Sequence, residues 1–426
     1  MPPASRGPAL DPYLFYAGRF TRDAARWMMA VLAVIYLAHI GIANTQIGII
    51  FGASLAGGFL LSVVVMLTSR AVPTRVWAIV QMLITGLAGI VLIYSSDLWL
   101  LIIGGFFGSY AASGAHLGGM SQLEQTGIAA VIPQEGRTKA YSILTMSSAA
   151  GRATGALLAG LSTLLINNLD WDPTDAYQTL LWVYVAIHLF ATLVYALLSP
   201  ARASPGVSLR STRPPSRSEE GVGRSTIANP FKAKARRPIL TISSLFAIDS
   251  FAGGMIFESF LSFWLFTQFG MSAAAIGGLL IASQALNMVS LALAPWVARR
   301  IGLLNTLVFT QVVSNIMLLL FAFAPTVIIA IVLWLLRSLF DEMDVPTRQA
   351  YMMGITDSDE HAIMAGSANL GRGLGRIPSA TVTGWLWAGA LTLTPWVASG
   401  TIKIAYDIAI WLAFRRVQIP SPEPEK

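Results

Sequence analysis

The chain has 426 residues, of which 55% are apolar and only 12% charged, with a mean hydropathy of +0.65. Soluble domains carry roughly a quarter charged residues, so a water-soluble globular protein is excluded and an all-α integral membrane protein is indicated. The net charge of +7 does not point to nucleic acid, because the cations lie in short runs between apolar stretches rather than on one folded face. There is no cysteine, which excludes disulfides, thiolate metal sites and cysteine nucleophiles.

Residues 1 to 13 are polar and proline-rich and lack an apolar core before a small-residue cleavage site, so no removable signal peptide is expected. A hydrocarbon core of about 30 Å needs roughly 20 apolar residues per helix. On that rule spans are expected near 24–41, 47–68, 76–95, 98–122, 140–166 and 177–198, then near 238–266, 275–297, 304–323, 326–345, 362–390 and 395–414. The segment 201–237 is rich in Pro, Ser and Arg and too poor in apolar residues to form a core, which reads as a flexible linker. The expected organisation is therefore a six-helix half (1–200), a linker (201–237), a second six-helix half (238–416) and a short tail (417–426).

Lys and Arg flanking a span are retained on the cytoplasmic side. Arg6, Arg19, Arg22 and Arg26, Arg70 and Arg75, Arg137 and Lys139, the linker, Arg299 and Arg300, and Arg415 and Arg416 all fall on one side. The alternate loops contain neither residue, and loop 167–176 carries Asp170, Asp172 and Asp175 instead. Both termini are thus expected in the cytoplasm, with the chain multi-pass in the cell (inner) membrane.

The two halves repeat each other. Gln46-Ile47-Gly48 matches Ala275-Ile276-Gly277, Ser54 matches Ser283 and Arg70 matches Arg299 at one offset; Gln125 matches Gln349, Gly151-Arg152 matches Gly375-Arg376 and Gly160 matches Gly384 at another. Two halves repeated in the same orientation suit a carrier whose site opens alternately to either side.

In span number, six-plus-six division, basic loops and duplication, the chain resembles the major facilitator superfamily over nearly its whole length. The stretch Met343-Asp344-Val345-Pro346-Thr347-Arg348-Gln349 looks like a tenth-span signature of a prokaryotic group of that family, and Leu123-Glu124-Gln125-Thr126 looks like its first-half counterpart. The resemblance implies twelve transmembrane helices in two pseudo-symmetric halves and a transport role. It departs from the family in the loop Leu67 to Arg75, which lacks the acidic partner of the usual Asp-Arg pair, and in Leu101 to Ser109, which lacks the arginine of proton-driven drug exporters.

Ionisable residues at membrane depth cost on the order of 3 kcal/mol, so each is a functional candidate. Asp249 and Glu258 in the seventh span, which borders the central cavity in the family, fall on opposite faces of an ideal helix unless Gly253-Gly254 breaks it. In the tenth span Arg337, Asp341, Asp344 and Arg348 share one stripe, with Glu342 about 100° away. Their charges either pair internally, Arg337 with Asp341 and Asp344 with Arg348, or face a pathway. Arg152, Arg372 and Arg376 either bind an anionic solute or neutralise the acids of spans seven and ten. His116 either relays a proton or is hydrogen-bonded in a helix. Asp249, Glu258, Asp341, Glu342, Arg152, Arg372, Arg376 and His116 are the pathway candidates. Glu124, Arg70, Arg75, Asp344 and Arg348 are candidates for a cytoplasmic gate; the resemblance implies that Glu124 pairs with Arg70 or Arg75 in the state that is closed inside. Lys403 and Asp407 are spaced for an intrahelical pair, with no function assigned.

No P-loop, serine nucleophile elbow or metal-ligand spacing occurs among the chemistry-bearing residues, so neither an enzyme nor a cofactor or metal site is expected. The expected function is secondary transport of a small solute by alternating access, with H+ as a candidate coupling ion. The chain is expected to work as a monomer in the lipid bilayer. The alternative is a transport-inactive membrane receptor or assembly partner that keeps the carrier fold.

Overall fold

The computed structural model describes residues 10–68, 72–108, 110, 119–132, 137–198, 236–354, 361–389 and 391–415. Arg70, His116 and the linker up to residue 235 lie outside these residues. The described chain is helical throughout and contains no strand. The first half supplies α1 (Asp11–His39), α2 (Asn44–Thr68), α3 (Thr74–Tyr94), α4 (Leu98–Gly108), α5 (Gly119–Val131), α6 (Arg137–Asn168) and α7 (Pro173–Ala196). The second supplies α8 (Arg236–Gly254), α9 (Glu258–Phe269), α10 (Ala273–Ile301), α11 (Leu303–Ala322), α12 (Val327–Asp341), α13 (Asp344–Gly354), α14 (His361–Ala388) and α15 (Thr394–Phe414).

Among the described residues eight helical stretches are long and apolar enough to cross a membrane: α2, α3, α6, α7, α8 with α9, α10, α11 and α15. The other four expected spans are the ones with charges or breaks. They are α1, α4 with α5, α12 with α13, and α14. Helix α1 begins thirteen residues before the expected span 24–41, because its polar first turns are buried by neighbouring helices rather than left in water. Residues Arg19, Arg22 and Asp23 are all buried.

Among the described residues two expected spans are interrupted. In the seventh, α8 ends at Gly254, the amides of Met255 and Ile256 bond back to Ala252 and Gly253, and α9 restarts at Glu258 behind an extended Phe257. A Cβ on Gly254 would run into Ser379 of α14 and lie 2.9 Å from Arg376 Cγ, so this contact needs glycine. The break that would free Asp249 and Glu258 from opposite faces of one helix is thus present. In the tenth, α12 ends at Asp341 and α13 begins at Asp344. Pro346 has no amide to continue the ladder to Glu342, but it fits the first turn of a new helix.

The chain forms two compact units that do not follow chain order. One holds α1 to α7 together with Phe257–Ile281 and the end of α14 from Ala380; the other holds α8, the remainder of α10, α11 to α13, α14 up to Ser379, and α15. Phe15, Met82, Met120, Leu144 and Tyr195 belong to the core of the first, and Phe246, Val308, Tyr351, Met364 and Tyr406 to that of the second. Within the first unit, segments from both sequence halves meet. A Cβ on Gly48 of α2 would lie 2.7 Å from Gly384 Cα of α14, a backbone approach that small residues permit in membranes. Beside it Phe51 packs on Phe257 and Phe260 with ring centroids 5.8 Å apart in each pair, and Phe260 packs on Trp387 at 5.0 Å. The α6 and α10 backbones approach similarly, with a Cβ on Gly160 3.3 Å from Ala274 Cβ.

Candidate functional site

In the first unit the spacing of Arg19, Arg22, Asp23 and Arg26 puts all four on one stripe of α1. That stripe meets Glu124 of α5, whose side chain has no exposed surface. Arg19 Nη1 lies 2.7 Å from Glu124 Oε2 and donates to Ser121 Oγ at 2.8 Å. Arg22 forks onto the same carboxylate, Nε to Oε1 at 3.2 Å and Nη2 to Oε2 at 3.0 Å. Tyr195 of α7 donates its hydroxyl to Oε1 at 2.6 Å. Asp23 takes Arg19 Nε at 3.0 Å and the Ser148 hydroxyl of α6, with Arg22 and Arg26 at 3.5 and 3.7 Å. The Glu258 carboxylate acts electrostatically on Arg26. Two acids held by three arginines, with a third acid in range, give a nearly neutral set. Such a set lets charges persist in a low-dielectric interior.

In this structure Glu124 pairs with Arg19 and Arg22; Arg75, half-buried at the start of α3, is not among its partners, and Arg70 lies outside the described residues. Arg19, Arg22 and Arg26, read above as loop cations that set topology, form part of the buried cluster. Their spacing of three, four and seven was the available signal. A span beginning at residue 24 leaves Arg19 and Arg22 outside the helix, whereas α1 already includes them. Arg152 stacks over Trp27 of α1 with its guanidinium carbon 5.7 Å from the ring centroid.

The second unit pairs its charges as one of the two alternatives foresaw. Arg337 meets Asp341 at 2.8 Å and Arg348 meets Asp344 at 2.9 Å, each along its own chain segment. Asp341 also accepts from Ser314 Oγ at 3.2 Å, and its carbonyl accepts from Gln311. Arg337 stacks on Trp334, and Arg348 and Arg372 lie 5.3 and 5.4 Å from the Phe246 ring centroid. Arg372 also donates to Asn369, Arg376 approaches Gly254, and Glu342 caps the end of α12. The Lys403–Asp407 intrahelical pair does not form. Lys403 instead reaches across to Asp249 of α8 at 2.6 Å, and Asp407 accepts from Asn315 Nδ2 of α11 at 3.0 Å. Here the neighbouring helix presents a nearer partner than the next turn does.

The two units are built on one plan with reversed charges. Gly151 packs on the Phe20 carbonyl and Gly375 on that of Ala247, which sets the register of α1 on α6 and of α8 on α14. In that register Arg22 answers to Asp249, and Glu124 answers to Arg348. Arg22 and Glu124 are bonded; Asp249 and Arg348 act on each other electrostatically. The duplicated fold has kept an attractive contact at this helix crossing while exchanging its signs.

Pathway candidates Asp249 and Asp341 and gate candidates Asp344 and Arg348 thus belong to the second unit, whereas pathway candidate Glu258 lies in the first. Among the described residues no cluster of His, Asp or Glu suited to a metal ion occurs.

The chain is similar to several known proteins. A yeast protein, the uncharacterized membrane protein YJR124C of Saccharomyces cerevisiae, is 22% identical, covering 95% of this chain and 94% of that one. The solved structure of the nucleoside transporter NupG superposes with a TM-score of 0.73 at 12% identity, covering 96% of this chain and 99% of that chain. That of a D-xylose-proton symporter gives 0.67 at 13% identity, covering 94% and 96%. An inward-facing, unoccupied bacterial homolog of the human lysosomal transporter Spinster gives 0.67 at 15% identity, covering 95% of each chain. At such identities these likenesses speak for the fold. The model of the Major Facilitator Superfamily matches residues 15–380, the greater part of both sequence halves, and the chain therefore belongs to the Major Facilitator Superfamily, with the helical multi-pass fold of its transporters.

Proposed function

We propose that the protein is a secondary carrier that moves a small polar solute across the cell membrane by alternating access, with both termini in the cytoplasm and H+ as coupling ion. The observation that carries this reading is the closure inside the first unit at the end of α2 remote from residue 68. There Gly48 meets Gly384 and Phe51 meets Phe257 and Phe260, and Gly160 of α6 likewise meets Ala274 of α10. Each of these contacts joins the first sequence half to the second, as a gate between two moving halves requires. Small residues and stacked rings, with no covalent link, make a contact that can part. The division of the chain into halves at the linker 201–237 belongs to the same reading. The charge pairs are internal to each sequence half, which suits two halves that move as rigid bodies, and a nucleoside transporter and a D-xylose-proton symporter are among the solved neighbours.

The test uses the absence of native cysteine. A Cβ on Gly160 lies 3.3 Å from that of Ala274, close to the roughly 3.8 Å of a disulfide. Purified protein in liposomes is expected to take up at least one of uridine, D-xylose or dialanine saturably. Oxidising the double variant Gly160→Cys, Ala274→Cys should stop uptake, and reduction should restore it. Uptake unchanged by the crosslink would refute alternating access through this gate. Specific solute binding with no uptake would favour a transport-inactive receptor.

A further inference from the structure

Asp407 has no place in the carrier scheme above, yet its surroundings are unusual. It is 1% exposed, in the middle of α15. One carboxylate oxygen, Oδ2, accepts the amide of Asn315 at 3.0 Å. The other, Oδ1, is buried with no partner, and so is the amide oxygen of Asn315 itself. Both orphans are acceptors, and they belong to the two groups that already share a hydrogen bond. Two buried acceptors without a donor are costly in a membrane interior, and one proton removes both deficits. A neutral Asp407 can donate from Oδ1 to Asn315 Oδ1 while accepting at Oδ2, giving the two parallel hydrogen bonds of an acid–amide pair.

The neighbouring charges leave that position to a proton. α15 packs on α11 and α8. From α11 come only neutral groups, Asn315, Ser314 and Gln311. From α8 comes Asp249, a like charge, which holds Lys403 at 2.6 Å and so occupies the one cation of α15 near Asp407. Asp344 of α13 also acts on Asp407 with the same sign, but is bonded to Arg348; Asp341 of α12 acts on Lys403 and is bonded to Arg337. Arg372 acts on Asp249 and donates to Asn369.

The geometry points to Asp407 as a proton-binding site of this protein, with Asn315 as the group that receives the bound proton's hydrogen bond and Lys403 as a counter-charge shared between Asp249 and Asp407. The proton comes from water as the O–H bond forms at Oδ1, and returns to water when that bond breaks; no electron is transferred. When Asp407 is ionised, Lys403, one turn before it on the same helix, can leave Asp249 for Asp407, so protonation decides which helix Lys403 ties. This inference rests on the carrier reading for its purpose, but not for its test.

Infrared spectroscopy of the wild-type protein in liposomes, with aspartate carbon-labelled, reads the C=O stretch of a protonated acid without any solute. The expected result is a carboxylic-acid band near neutral pH that disappears reversibly as pH rises. It should be absent in Asp407→Asn and displaced to higher wavenumber in Asn315→Leu, which keeps the acid but removes its partner. Asp249→Asn, by releasing Lys403 towards Asp407, should move the band's titration to lower pH. A band that persists in Asp407→Asn, a band that does not titrate, or a band unmoved by Asn315→Leu would each overturn the proposal. Asn315→Leu still decides the matter if Asp407→Asn fails to give a monodisperse protein. Failure here leaves the transport reading intact, and failure of the crosslinking experiment leaves this one intact.

Discussion

Replacing Glu124 by leucine removes the acceptor of four buried hydrogen bonds from three residues at once: Arg19 at 2.7 Å, both nitrogens of the Arg22 fork, and the Tyr195 hydroxyl at 2.6 Å. The leucine fills much of the volume, so the loss is mainly electrostatic. Breaking a buried ion pair from one side costs about 3–5 kcal/mol, because the partner is left charged and dry. Asp23 remains to hold Arg19 and keeps Arg22 within 3.5 Å, which puts the expected loss near the lower end, about 3 kcal/mol. For a unit of this size that corresponds to a melting point lower by about 6–12 °C. Arg22→Leu alone leaves Arg19 and Tyr195 on Glu124 and should cost about 1.5–3 kcal/mol, the value of a hydrogen bond to a charged group. In the double variant neither orphan charge of the fork exists, so the two losses should fail to add by about 1–3 kcal/mol. Thermal unfolding of the four detergent-solubilised proteins, followed by tryptophan fluorescence, measures the cycle. A coupling below about 0.5 kcal/mol would mean that Glu124 and Arg22 do not depend on each other, and the buried cluster would lose its claim to hold α1 against α5.

Three further outcomes are expected. Lys403→Met should destabilise the second unit, because it strands Asp249; the loss, about 3 kcal/mol, should be largely recovered by Asp249→Leu in the same chain, as thermal unfolding will report. Gly384→Val places side-chain atoms where Asn44 O and Gly48 Cα already lie 2.6 Å from a built Cβ; overpacking of about 1–3 kcal/mol should part α2 from α14, raising thiol labelling at an introduced Phe51→Cys. Unchanged labelling would contradict the closed gate. Asp172 caps α7 and accepts from the Thr174 amide at 2.8 Å, which holds its carboxyl below the usual range. Its stabilising effect is therefore present above the ordinary carboxylate pKa and is lost as pH falls through the depressed value, so Asp172→Ala should lower the melting point at neutral pH and match the wild type in strong acid.

The helical class, the multi-pass character and the family were all legible in the chain. Each depends on local quantities: apolar run length against membrane thickness, the signs of loop residues, and repeated residues at fixed offsets. The break at Gly253-Gly254 and the internal pairs of α12 and α13 were also legible as alternatives, because helix geometry limits which residues one turn apart can meet. What needed tertiary structure was the choice of partner wherever two partners were within reach. Lys403 could meet Asp407 on its own helix or Asp249 on another, and Arg19 and Arg22 could lie in water as topology signals or inside the fold against Glu124. Sequence spacing describes one helix at a time. In a bilayer, where a charge must find an opposite one or leave, the neighbouring helix settles which of its possible partners it takes.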